Sequence, residues 1–174
     1  MDDFAQKLHK NLRTYLISMG KLDTRMPECP DVEDMWETIA EAYLPDGVRE
    51  FQTYPFVSLG WMMFIGMALA AYWDEDWASH NTPSLYEELR NARGYDELDE
   101  YILEDVLHLS PEAQSTMSQL VSECATLIHA LLRREPIEPG TPEAFHAYVA
   151  CLKELYLAGM GVQFRAMGYH MEEL

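Results

Sequence analysis

Positive charge is scarce in this sequence: 12 Lys and Arg stand against 30 Asp and Glu in 174 residues, a formal net charge of -18. A field of that sign repels nucleic-acid phosphates and anionic lipid, and no basic run reverses it locally. Neither nucleic acid nor a membrane surface is an expected partner. Cysteine is also sparse. Cys29, Cys124 and Cys151 share no C-x-x-C spacing, which excludes a disulfide framework and a zinc knuckle. The start, "MDDFAQKLHK", lacks the apolar stretch of a secretory signal, so a reducing cytoplasm is the expected compartment. No G-x-S-x-G elbow is present, and "GMG" at Gly159–Gly161 lacks the Lys and preceding strand of a phosphate loop.

β signals are missing too, with no Asn-Gly hairpin and no sustained two-residue alternation. Helical periodicity takes their place. Phe4, Leu8, Leu12, Tyr15 and Met19 predict a first helix ending near Gly20. Asp31 can cap a second helix carrying Val32, Met35, Trp36, Ile39 and Tyr43, which "LPDG" is expected to stop. Ser84 and Glu87 match a capping box, and Gly94 suits the end of that short helix. "DELDEYILEDVLHL" reads as a further helix. "SPEA" at Ser110 and "TPEA" at Thr141 each place a hydroxyl at the cap, Pro at the first helical position and Glu in the first turn. Met117, Leu120, Val121, Cys124, Leu127, Ile128 and Leu131 stripe the helix after Ser110. Phe145, Val149, Leu152 and Tyr156 are the expected inner face of the one after Thr141. That last pattern either continues nearly to the end or breaks at Gly159 and Gly161.

The longest uncharged run, "FVSLGWMMFIGMALAAYW" from Phe56 to Trp73, is at the short limit of a bilayer span. No Lys/Arg collar flanks it, "DED" follows at once, and the amphipathic helices around it need a partner for their apolar stripes. It is therefore expected inside protein, with Gly66 and Ala70 spaced so that another helix can approach closely. The fold class follows: all-α, a single helical domain over residues 1–174, with about six or seven helices around a central apolar helix at 55–73.

Candidate chemistry is thin. Glu143-x-x-His146 and Asp105-x-x-His108 match a helical metal motif, but with 6 His and 30 acids in 174 residues about one such match arises by chance. Glu143 also points away from its helix's apolar side. Asp74, Asp76 and His80 are a second metal candidate, because Asp76 and His80 share a helical face and Asp74 adds a hard oxygen ligand. Three acids at a helix C-terminus oppose the dipole, which calls for a cation, an Arg or a fresh helix start. Tyr156, Gln163 and His170, seven residues apart, would line one flank of a continuous last helix and could orient a small ligand. His9 and His129 fall off the apolar stripes and are expected in solvent. Met160, Phe164, Met167 and Met171 form a stripe suited to core or to docking a second copy. No cofactor is implied. The leading expectation is a cytoplasmic, non-catalytic interaction or scaffold protein forming a homodimer, with a possible further protein partner. The alternative is a small-molecule- or metal-binding helical bundle, with or without enzymatic activity.

Overall fold

The computed structural model describes residues 2–170, and among these the chain is helical and without strands. Eight α-helices follow in order: α1 (Asp2–Ser18), α2 (Pro30–Asp34), α3 (Trp36–Thr53), α4 (Pro55–His80), α5 (Leu85–Arg93), α6 (Leu98–Tyr101), α7 (Pro111–Arg133) and α8 (Pro142–Ala166). They make a bundle around α4. Helix α8 lies along α4, α3 and α7 flank it, and α1 packs on α8 and α7.

Helix α4 is apolar all round, and every residue from Met62 to Ala70 is buried. It is the one helix among the described residues long and apolar enough to cross a membrane, yet 67% of its most apolar window is buried inside the fold. That burial is consistent with the core helix of a protein folded in water, because the chain's own amphipathic helices supply the apolar surroundings that lipid would otherwise provide. Two glycines set how close α8 comes. A methyl group at Gly66 would sit 2.1 Å from the Tyr156 carbonyl oxygen, and one at Gly159 would sit 2.1 Å from the Met63 carbonyl oxygen. Each helix thus presents a glycine to the other's backbone, and α8 runs unbroken through Gly159 and Gly161 because that contact holds it.

The two hydroxyl–Pro–Glu openings fold as expected. Ser110 Oγ accepts from the Ala113 amide at 3.2 Å and Thr141 Oγ1 from the Ala144 amide at 3.1 Å. Gly94, at φ +90°, ends α5. The stripe of α7 is buried at Leu120, Val121, Cys124, Ile128 and Leu131.

Other local expectations yield to tertiary contacts. "LPDG" does not stop α3, which carries Pro45 in its interior. Buried Tyr43, Asp46 and Gly47 on the inner face outweigh the backbone bond that proline forfeits. Asp31 does not cap α2; its carboxylate accepts from Trp73 Nε1 at 2.9 Å instead. Ser84 precedes α5 without a side-chain capping bond. The helix expected after Gly94 breaks into a 3₁₀ turn at Tyr95–Glu97, the short α6 and a π turn at Ile102–Val106. In α1, Leu16 is buried where Met19 is exposed.

Candidate functional site

The fold separates most of the side chains that the sequence groups as candidate sites. Tyr156 is fully buried, its ring against Trp36 and its hydroxyl donating to the Val32 carbonyl at 2.6 Å. Gln163 is buried on the same helix. His170 is not on that line, because α8 ends at Ala166 and Gly168 at φ +99° turns the chain away. Its imidazole is exposed and meets Asp23, 3.2 Å from Nδ1. The three residues therefore share no surface that could orient a ligand. Met160 and Phe164, from the stripe suited to core or to docking, are core residues at 1% and 3% exposure, and Met167 is half-buried against that core. Met171 lies outside the described residues.

Asp74, Asp76 and His80 also separate. At Asp76 the backbone leaves the helix (φ −163°, ψ 82°), and its carboxylate accepts from the Ser79 hydroxyl at 2.5 Å. Asp76 thus caps a fresh helical turn, the third of the compensations that the acidic run called for. Those hydrogen bonds from Ser79 hold its carboxyl below the usual range. Asp74 accepts from Tyr169 Oη at 2.6 Å, and His80 stacks on Tyr72 with ring centroids 3.7 Å apart. Among the described residues no three His, Cys, Asp or Glu side chains gather to hold a metal ion.

The most prominent concave surface lies elsewhere. At one end of the bundle, the last turns of α3, the 134–141 loop and the start of α8 enclose an open cleft of about 670 Å³. Val48, Phe51, Ala144, Phe145 and Tyr148 make it apolar. A side lobe of about 380 Å³ runs between Phe51, His129, Arg133, Glu135 and Ile137. Large apolar side chains are left in water here. Val48 is 37% and Phe145 43% exposed on the wall, and Phe56, 47% exposed, lies close by against His129; these are three of the six exposed large hydrophobic side chains among the described residues. Phe145 was expected to face inward. Leu152 and Tyr156 face inward as expected, joined there by Ala147, Tyr148, Cys151 and Leu155.

His129, expected in solvent, is half-buried at the wall of this cleft. Its ring lies 5.0 Å from Phe56 and 6.1 Å from Phe51, edge-on to both. Burial, with the nearby Arg133 charge, pushes its pKa down, so the imidazole is neutral at pH 7.

The floor of the cleft is polar underneath and fully bonded. Tyr148 Oη and Ser58 Oγ lie 2.5 Å apart, and Ser58 donates to the Gly47 carbonyl at 2.7 Å. Tyr43 Oη donates to the Ser58 carbonyl at 2.6 Å and lies 3.1 Å from Tyr95 Oη. One turn along, the Asp46 carboxylate accepts from Tyr86 Oη (2.7 Å), from Arg90 Nε (2.7 Å) and Nη2 (3.2 Å), and from Arg49 (2.9 Å). Burial would raise the Asp46 pKa, but those donors and charges outweigh it and hold the carboxyl below its usual range. Burial and its bond to Asp46 push the Tyr86 phenol far up. Such a network rigidifies α3 against α5 and leaves no free base beside a nucleophile.

Sequence reasoning missed the cleft because Val48, Phe51, His129, Phe145 and Tyr148 come from three segments far apart in the chain. Compared with protein-family models, with curated proteins and with solved structures, the chain matches none.

Proposed function

We propose that this is a cytoplasmic, non-catalytic interaction protein that docks a second copy of itself through the apolar cleft between α3, α7 and α8. The observation that carries this reading is the exposure of Val48 and Phe145 on the wall of one open concavity of about 670 Å³, with exposed Phe56 close by against His129. Clustered apolar side chains in water cost free energy that a docking partner recovers. The side lobe's rim carries both signs, Arg133 and Glu135. A two-fold contact sets the same rim opposite itself, and a mixed rim is complementary to its own copy where a single-signed one is not. Polar groups reaching the floor are spent on each other, which supports binding rather than turnover.

Light scattering over a concentration series tests this. Each chain carries a net charge of -18, so two copies repel at long range, and added salt screens that repulsion. The mass is expected to rise from 20.1 kDa toward twice that value, more readily at high ionic strength, and Phe145→Glu is expected to abolish the rise. A wild-type monomer at high concentration and salt overturns the proposal, as does a dimer indifferent to Phe145→Glu. A basic partner would show the opposite salt dependence.

One observation favours a second reading. The cleft's volume lies in the range of small-molecule sites, roughly 300–1,000 Å³, so an apolar small molecule is the alternative occupant. Saturable binding of such a molecule by a monomer would establish it.

A further inference from the structure

A smaller pocket, built from other elements, brings two arginines and a histidine to one concavity beside two carboxylates. It has a volume of about 280 Å³ and lies between α1, the loop from Arg25 to Glu28, α2 and α8. His9, Arg13, Arg25, Glu28 and Glu33 line it together with an apolar wall of Met26, Pro27, Leu157 and Met160. Two of the chain's 12 Lys and Arg residues and one of its 6 His thus face a single concavity.

The carboxylates nearby do not neutralise it evenly. Glu33 Oε2 is held on the Cys29 amide at 2.8 Å. Glu28 reaches Arg25 only at 3.7 Å, between two exposed side chains, a contact that water screens and an incoming ligand can displace. Glu154 accepts from His9 Nδ1 at 3.0 Å. A carboxylate only accepts, so that bond places the proton on Nδ1 and leaves Nε2 as the free ring nitrogen. The same bond raises the imidazole pKa against burial and the Arg13 charge, which extends the range over which Nε2 also carries a proton. Arg13, half-buried in α1, has no carboxylate within ion-pair distance among the described residues.

We propose that this pocket binds a small organic carboxylate with a short apolar body, its carboxylate on Arg13 and Arg25 and its body against Met26, Leu157 and Met160. The planar guanidinium fork suits a carboxylate, and the thioether and aliphatic wall suits a few methylene groups. The site shares no residue with the docking cleft, so each stands or falls alone.

The full-length protein with ¹³C-methyl-labelled methionine provides the test, with hexanoate as the probe. Two controls are hexanol, which keeps the apolar body without the charge, and inorganic phosphate, which keeps the charge without the body. Hexanoate is expected to shift the Met26 and Met160 methyl signals saturably, with each control at least tenfold weaker. Arg13→Gln is expected to weaken hexanoate tenfold or more while the remaining methyl signals stay in place. Arg25→Gln serves as a second variant should that one disturb the fold. The proposal is overturned if hexanoate leaves both methyls unmoved, if hexanol binds equally well, or if a folded Arg13→Gln or Arg25→Gln protein keeps full affinity.

Discussion

Two apolar regions of this protein have similar composition and opposite fates. Along the α4–α8 seam, Met63, Met67 and Phe164 are buried where the two backbones meet at Gly66 and Gly159. At the α3–α8 end, Val48, Phe51 and Phe145 surround open space. What separates them is backbone distance. Where glycine lets two helices touch, side chains interdigitate and water is excluded. Where α3, the 134–141 loop and the start of α8 leave a cleft between them, the same residue types remain in solvent.

The comparison breaks most severely at the seam. Gly159→Val is expected to cost about 3 kcal/mol or more, because the new side chain meets the Met63 carbonyl and cannot move it aside. Urea denaturation measures this, and a loss under about 1 kcal/mol would mean that the helices are not in backbone contact.

The next effect lies under the cleft. Asp46→Ala strips partners from Arg90, Arg49 and Tyr86 at once, for a loss of about 2 kcal/mol. The figure stays modest because Arg90 is 34% exposed and water takes up part of the charge. The pH dependence has a definite sign. Asp46's folded pKa is depressed, so its contribution is complete above the unfolded carboxyl range and is lost as pH falls through the folded value. Asp46→Ala should therefore flatten the acid limb of a stability–pH profile, and an unchanged limb would contradict the network.

Tyr148→Phe is smaller, about 1 kcal/mol, since Ser58 keeps its bond to the Gly47 carbonyl while losing the phenol. Thermal unfolding at several urea concentrations would resolve it. Smallest in stability is Phe145→Ser, expected within about 0.5 kcal/mol of wild type because that side chain sits at the surface, 43% exposed. Its loss should instead appear in self-association, which sharpens the contrast between a region that holds the fold and one that faces outward.

Much of the seam was legible in the sequence, and little of the cleft. The central helix announces itself as eighteen residues without charge, and Gly66 shows as a small residue at helical spacing. Ser110 and Thr141 read correctly because capping is settled within four residues. Pro45 misled because its local preference is overruled by Tyr43, Asp46 and Gly47 in the core. Phe145 misled because helical spacing from Leu152 and Tyr156 carries it onto the apolar side, whereas Ala147, Tyr148 and Cys151 are the residues buried in that part of α8. His170 was placed by extending a seven-residue period past the point where α8 stops. The cleft itself rests on contacts between residues about a hundred positions apart, which no local period encodes.

The most direct measurement is hydroxyl-radical footprinting of dilute, freshly purified protein in aqueous buffer, read residue by residue. Met62, Met63 and Met67 should be protected to the level of unreacted core despite the ready oxidation of methionine, while Phe56 and Phe145 should label rapidly. Oxidation of those three methionines at the rate of exposed Met19, with Phe145 protected in the monomer, would contradict the account.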